Sequence, residues 1–370
     1  MTAPIDTVLA PLLAAPLYAT PQLAKEDALV PALAALGAHH RAACPAYARL
    51  GRVLGWPDLP TRLADVPWLP TALWKTHRLV SVPESAIVTT LTSSGTSGQT
   101  PSRVHLDHAT ARRQAHALAR IIGHAVGPRR LPMLVIDSAA VLRDRTALTA
   151  RSAGVLGMMT HGARPVFALD DELALDRGAV EDFLARYGDA PFLIFGFTYL
   201  VWTRLGPRAS ELGLDLSRGV LLHTGGWKRL EAIAVDGSAF RAGLAAATGV
   251  TRCYDFYGLT EQVGSVLLEG DDGLLYAPPF ADVVVRDPIT LAEVPAGAPG
   301  VLQLVSALPT SYPGHSVLTE DLGVVEHVDR DTCGRLGKAI RVLGRVPRAE
   351  LRGCSDVVAE ALSAIEGSVR

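Results

Sequence analysis

Between residues 103 and 257 the sequence alternates short apolar runs with helix-like stretches, and this alternation restricts the fold more than any other feature. RVHLD leads into the helical mixture HATARRQAHALARIIGHAV, and PMLVIDSAAVL then reads as a buried strand entering a loop. APFLIF, RGVLLHTGGW and TRCYDFYG are strand-like, and FTYLVWTRL after APFLIF is helical. Strand, loop and helix in repeated order predict an α/β domain whose strands are covered by helices.

The flanks differ in texture. Residues 1–80 are predicted to form a helical cap, with apolar stripes through LVPALAAL, several proline stops, and an aromatic, basic end in VPWLPTALWKTHRLV. Residues 81–275 form the α/β part. From 276 to 340 short alternating strands (DVVVRD, GVLQLVSAL, SVLTEDLGVVEHV) separated by turns such as PAGAPG predict a β-rich part. Together 1–340 is expected to be one core domain, followed by a short, mobile C-terminal segment over 341–370. No fixed-period repeat points to a solenoid or propeller.

At 370 residues, 49% hydrophobic and 19% charged, the chain is expected to bury a large core rather than remain disordered. A net charge of -2 with no Lys/Arg-rich run gives no electrostatic case for nucleic acid or an anionic membrane. The apolar start VLAPLLAAPLYATPQLA is broken by Pro11, Pro16 and Pro21 and has no basic residue before Lys25, so it suits neither a signal peptide nor a membrane span. Cys44, Cys253, Cys333 and Cys354 are widely spaced and form no C-x-x-C pair. A cytoplasmic location is expected.

Five patches could carry chemistry. The first, LTSSGTSGQTPSRVHLD at 91–107, offers hydroxyl and backbone N–H donors with little side-chain bulk, which suits phosphate. It lacks the Gly-Lys-Ser/Thr of a Walker A loop, and a flexible linker of small residues is the alternative. The others are HTGGWK at 223–228, YDFYGLTE at 254–261, TEDLG at 319–323, and GRVPRAELRGC at 344–354.

In this order the patches resemble the adenylate-forming superfamily, and more closely its acyl-protein synthetase (LuxE-like) branch. The resemblance implies a large adenylate-forming α/β domain with a β-rich subdomain and a strongly truncated C-terminal segment. It implies that Ser93, Ser94, Gly95, Thr96, Ser97 and Gly98 embrace the phosphates of ATP, and that Gly225 and Gly226 line the nucleotide and acyl pocket. Tyr257, Gly258, Thr260 and Glu261 match the Tyr-Gly-x-Thr-Glu turn beside the nucleotide, with Glu261 near Mg2+. Asp321 matches the ribose-binding aspartate, and Gly344 and Arg345 the Gly-Arg that opens the C-terminal part. Glu261 is also readable as a helix-start acid after Thr260, and Asp321 as a turn residue.

Activation of a carboxylate requires its oxygen to attack the α-phosphorus of ATP while pyrophosphate leaves, so two anions must meet amid donors and positive charge. Lys228, Arg103 and Arg345 are the candidate cations. The lysine that commonly closes the phosphate loop is replaced by Ser102-Arg103, and only 26 residues follow Gly344, too few for the superfamily's C-terminal domain with its catalytic lysine.

In the LuxE-like branch a cysteine near the C-terminus receives the activated acyl group before a reductase partner takes it, and Cys354 fits that place. Arg348 and Arg352 would favour its thiolate; Glu350 and Asp356 oppose them. The expected function is therefore ATP-dependent activation of a carboxylic acid to an acyl-adenylate, then transfer to Cys354, with an acyl-reductase or acyl-carrier partner. The alternatives are delivery to coenzyme A, a carrier protein or an amine, and a non-catalytic adenylate-binding regulator. Segments around 195–203, 223–228 and 253–259 are expected to line the substrate pocket, and the aromatic FGFTYLVW suits an apolar or aromatic acid. Cys253 reads as core and Cys333 as a turn residue. His105 and His108 lack a completing metal-ligand cluster, and His223 and His315 are open between substrate contact and structure.

Overall fold

Which helices and strands form follows from where apolar residues are continuous and where they recur on one face. The computed structural model describes residues 5–93, 100–143, 150–227 and 234–346. It divides into two compact units, one built from Met1–Leu118, Gly258–Leu267 and Leu274–Arg370, the other from Ala119–Tyr257 and Leu268–Gly273.

In chain order the first unit opens with helices α1 (Ile5–Ala14), α2 (Gln22–Ala43) and α3 (Pro45–Val53). Two of the expected proline stops do not stop anything: Pro11 lies inside α1 and Pro31 inside α2. An interior proline removes a helical hydrogen bond, at about 3 kcal/mol. In α2 the burial of Leu29, Val30, Leu33 and Leu36 offsets that loss. Pro21, by contrast, stands at the N-cap of α2, where its missing N–H costs nothing. Strand β1 (Leu69–Pro70) and the short helix α4 (Leu73–Thr76) follow, then an antiparallel hairpin of β2 (Ile87–Thr92) and β3 (Arg103–Asp107), and helix α5 (His108–Val126), within which the division between the units falls.

The second unit runs β4 (Pro132–Ser138), α6 (Ala150–Met159), β5 (Ala163–Leu169), α7 (Arg177–Tyr187), β6 (Phe192–Phe197), α8 (Thr198–Leu200), a π-turn, α9 (Gly206–Leu212), β7 (Gly219–Thr224), α10 (Gly237–Thr248) and β8 (Arg252–Tyr257). Pairing is parallel throughout, in the order β5-β4-β6-β7-β8. Leu134, Ile136, Phe192, Ile194 and Leu221 of the strands pack with Val180 and Phe183 of α7 and Phe240 and Leu244 of α10. Burial of each such side chain contributes about 1.5–3 kcal/mol. Asp176 and Asp236 cap α7 and α10 by accepting from the amides of Ala179 and Ala239 at 3.0 and 2.8 Å. Because the chain passes from β4 to β5 on one side and returns to β6 on the other, the sheet has a switch point at β4, and ligands of such sheets sit at the carboxyl ends of the strands.

The chain then forms β9 (Leu267–Glu269), β10 (Leu275–Tyr276), β11 (Ala281–Arg286), β12 (Gly300–Ser306), β13 (Ser316–Val328) and β14 (Lys338–Arg345). In the first unit β11, β12, β13, β14 and β10 pair antiparallel in that order, and β1 adds to β13 in parallel. A buried charge cluster fastens α2 here. Lys25 donates to the Ala277 carbonyl at 3.1 Å and Lys338 to the Val283 carbonyl at 2.6 Å, each with its ammonium 3.6 Å from Asp282. The mixed α/β architecture and the β-rich texture beyond residue 276 agree with the sequence reading. Among the described residues no helix is long and apolar enough to cross a membrane.

Candidate active site

The hairpin β2–β3 holds the ends of the Ser/Thr/Gly loop. Ser93 and Ser102 face each other across its neck: the Ser102 amide donates to Ser93 Oγ at 2.8 Å, and the Ser93 amide to the Ser102 carbonyl at 3.1 Å. Ser94, Gly95, Thr96, Ser97 and Gly98 lie outside the described residues, as do Lys228 and Cys354 with Arg348, Glu350, Arg352 and Asp356. Ser102 also reaches the Tyr-Gly-x-Thr-Glu turn, where its hydroxyl hydrogen-bonds the Glu261 carboxyl.

That turn is fixed by buried polar contacts. Thr260, Glu261 and Gln262 form one 3-10 turn after Leu259, so Leu259 rather than Thr260 stands at the cap position. Tyr312 donates its hydroxyl to the Glu261 carbonyl at 3.0 Å, and Gln262 donates to the carbonyls of Leu304 and Gly314 at 2.9 and 2.8 Å. Gly258 must lack a side chain, because a Cβ there would come within 2.8 Å of Val266. Glu261 is only 5% exposed. Burial pushes its carboxyl above the usual carboxylate range, while the Ser102 hydroxyl, its own amide and the Lys75 ammonium act in the opposite sense.

Asp321 lies in β13, not in a turn, and is registered opposite Arg345 of β14. Its amide donates to Thr319 Oγ1 at 3.0 Å, and Arg345 Nε stands 3.8 Å from its carboxylate. Next to it Glu320 pairs with Lys75 of α4 at 3.6 Å. Ser93, Ser102, Glu261, Asp321, Arg345 and Lys75 thus belong to one unit. Nothing in the sequence pointed to the Lys75–Glu320 pair, whose members lie far apart in the chain and share no motif.

In the second unit the carboxyl ends of β7 and β8 present the remaining candidates. Gly225 follows β7 with φ +86°, a left-handed conformation that glycine adopts without strain, and a Cβ there would stand 3.3 Å from the Phe197 ring. Gly226 follows it, and Tyr257 ends β8. Thr224 ties the two strand ends by donating to the Phe256 carbonyl at 2.7 Å. His223 is buried, its Nδ1 3.0 Å from Thr198 Oγ1 and 3.7 Å from Asp255, with the Phe240 ring 4.6 Å away. Burial, helped by Arg241, lowers its pKa to about 3, so the imidazole is neutral. Asp255 Oδ1 is enclosed without a hydrogen-bond partner among the described residues. Burial and then the neighbouring Glu269 raise the Asp255 carboxyl well above its usual range. Asp255 lies within the YDFYGLTE patch, two positions before the Tyr-Gly-x-Thr-Glu turn, but nothing in the sequence assigned it a role of its own.

His105 and His315 are held by structural contacts. Both ring nitrogens of His105 are engaged, by Thr90 Oγ1 at 2.9 Å and Arg78 at 2.8 Å. His315 is buried, 3.2 Å from the Tyr47 hydroxyl and stacked on His40. Cys44 and Cys253 are buried, and burial raises the Cys253 thiol pKa; Cys333 is partly exposed.

Comparison with known proteins agrees with this architecture. The fold is similar to that of 2-hydroxyisobutyryl-CoA ligase in an open conformation with 2-HIB-AMP and CoA, with a TM-score of 0.67, 20% identity, and coverage of 90% of this chain and 77% of that one. The same ligase in its postadenylation state with 2-HIB-AMP gives a TM-score of 0.66 at 21% identity, covering 89% and 69% of the two chains. In sequence, the long-chain-fatty-acid–luciferin-component ligase of Vibrio harveyi is 22% identical over 341 residues, covering 86% of this chain and 84% of that protein. Residues 21–363 match the family described as acyl-protein synthetase, LuxE. The chain belongs to the LuxE acyl-protein synthetase family, as an AMP-forming ligase that activates an acyl group with ATP and transfers it.

Proposed function

We propose that the chain activates a carboxylic acid with MgATP and takes the acyl group onto its own Cys354. The substrate carboxylate oxygen attacks the α-phosphorus, and the bond to pyrophosphate breaks. The Cys354 thiolate, its proton released to solvent, then attacks the acyl carbon, and AMP leaves with the electron pair of the acyl–oxygen bond. What carries this reading is the family match, which extends over residues 21–363 and so includes the segment around Cys354. Cys44 and Cys253, 2% and 6% exposed, are withdrawn from any acyl-adenylate.

In this reading Ser93, Ser94, Gly95, Thr96, Ser97 and Gly98 hold the phosphates, Gly225, Gly226, Tyr257, Gly258 and Thr260 flank the nucleotide, and Asp321 takes the ribose hydroxyls. Lys228 and Arg345 add positive charge. Glu261 would hold Mg2+, which supplies charge neutralisation at the phosphates when bound. A single protein carboxylate suits that ion. Among the described residues no group of three or more His, Cys, Asp or Glu forms a metal cage, and magnesium completes its shell with phosphate oxygens and water. The thioester would pass to an acyl-reductase or acyl-carrier partner. A second reading, delivery to coenzyme A, is supported by the fold shared with 2-hydroxyisobutyryl-CoA ligase.

Intact-protein mass spectrometry after incubation with MgATP and a panel of carboxylic acids tests this function. An ATP-dependent acyl adduct mapping to Cys354 is expected, and it disappears in Cys354→Ala. Free acyl-AMP with no adduct, and a Cys354→Ala variant that acylates coenzyme A at the wild-type rate, would replace self-acylation by the second reading.

A further inference from the structure

The chain has four lysines, at 25, 75, 228 and 338. Lys228 lies outside the described residues, and the other three occupy very different settings. The ammonium groups of Lys25 and Lys338 are spent on backbone carbonyls and flank the buried Asp282. Among the described residues Lys75 makes only the Glu320 contact, and at 3.6 Å that is an ion pair longer than a hydrogen bond. Its donors meet no acceptor at hydrogen-bond distance among the described residues, and its side chain is 26% exposed.

The position of Lys75 is built into the fold. Leu69 and Pro70 pair with Val317 and Leu318 of β13, and the Thr71 amide donates to the Leu318 carbonyl at 3.0 Å. Leu73 and Trp74 are both 1% exposed and pack in a cluster with Tyr47, Val104, Leu106, Tyr312 and Val317. The segment is therefore pinned to the strand that carries Glu320 and Asp321, and anchored beside Tyr312, which holds the Glu261 carbonyl. An ordinary surface lysine has no such double attachment.

We propose that Lys75 is a phosphate-binding residue of the adenylation site, its uncommitted ammonium taking up the phosphates of ATP beside Glu261. The inference rests on the nucleotide site proposed above. Three carboxylates, Glu261, Glu320 and Asp321, stand in this part of the first unit, and Ser102, which hydrogen-bonds Glu261, is neutral. A triphosphate entering there meets repulsion unless fixed positive charge is present. Arg345 is 70% exposed and faces Asp321. Lys75 is the described cation whose field reaches the Glu261 carboxyl. Glu320 then holds the ammonium in place until phosphate oxygens, better acceptors at hydrogen-bond distance, replace it.

Calorimetric titration of the full chain with inorganic pyrophosphate, ATP and adenosine, without added metal, provides the test. Lys75→Met is expected to weaken pyrophosphate and ATP at least tenfold and to leave adenosine unchanged, and Lys75→Arg to recover most of the loss. Glu320→Gln, which removes the competing carboxylate, is expected to bind pyrophosphate more tightly than wild type. Unchanged pyrophosphate affinity in Lys75→Met, or equal loss of adenosine, overturns the assignment, as does weaker pyrophosphate binding by Glu320→Gln. If wild type binds adenosine but no pyrophosphate in competition with ATP, the placement of the phosphates fails as a whole, and Lys75 with it.

Discussion

Ser93 and Ser102 exchange two hydrogen bonds across the neck of the Ser/Thr/Gly loop, one through a backbone carbonyl at 3.1 Å and one through the Ser93 hydroxyl at 2.8 Å. The carbonyl bond, donated by the backbone amide, survives any substitution at 93 except proline, so removal of the hydroxyl isolates the second. Ser93→Ala should lower kcat/KM for ATP in pyrophosphate exchange by about five- to tenfold, corresponding to about 1 kcal/mol for one hydrogen bond. The melting temperature should change little, because the hairpin ladder remains. Ser93→Thr should retain most activity; equal losses in both variants would mean that the hydroxyl is not the cause.

Glu261 combines burial with a proposed need for negative charge, so stability and activity should separate there. Glu261→Gln preserves shape and removes a carboxylate whose ionised form burial disfavours. Denaturation midpoints are expected to stay at or above wild type, whereas acyl-AMP formation at saturating MgATP falls about a hundredfold, on the order of 2.7 kcal/mol of transition-state stabilisation. A variant that loses stability and keeps activity would make Glu261 a structural acid.

In the second unit β4, β6 and β7 were legible in the sequence because they are buried along almost their whole length and their apolar residues are therefore contiguous. FLIF in β6 and GVLL in β7 leave no other reading at that length, and every residue of β6 is buried. The N-terminal helices were legible as helix but not in their continuity: Pro31 looks like a stop, and only tertiary burial of the Leu29, Val30 and Leu33 face lets α2 run through it. At the site, motif residues such as Glu261 and Asp321 are local signals. Lys75, Ser102 and Asp255 lie in segments the sequence singles out, but their roles were not legible, since they arise from contacts between distant segments, as when Leu69 meets Val317. Periodicity carries no information about such pairings.

Asp321 offers a substrate-side test. If its carboxylate takes ribose hydroxyls, Asp321→Ala should raise the KM for ATP about tenfold, in line with about 1.5 kcal/mol for a hydrogen bond to a charged group. Wild type should discriminate against 2′-deoxy- or 3′-deoxy-ATP, and that discrimination should vanish in the variant. Persistence of full discrimination in Asp321→Ala would place the ribose elsewhere and leave Asp321 as the partner of Arg345.

Buried histidines make the stability of the first unit sensitive to acid, and His315 is the clearest case. Burial, with Arg41 and His39 nearby, lowers its pKa to about 3, so the folded state holds it neutral while the unfolded chain protonates it near 6.5. Below pH 6.5 the unfolded state binds more protons, and stability declines as pH falls toward 3 by up to about 1.4 kcal/mol per unit. Buried acids with raised pKa values, Asp255 and Glu269 among them, act in the opposite sense, so wild type alone does not isolate the effect. The difference between wild type and His315→Phe does. The substitution removes the partner of the Tyr47 hydroxyl and should be destabilising at pH 7.5. Urea denaturation should show that gap shrinking by about 2 kcal/mol between pH 7.5 and pH 5, because only wild type carries the histidine that resists protonation. A gap constant over that interval would show that His315 is protonated, or accessible to protonation, in the folded protein.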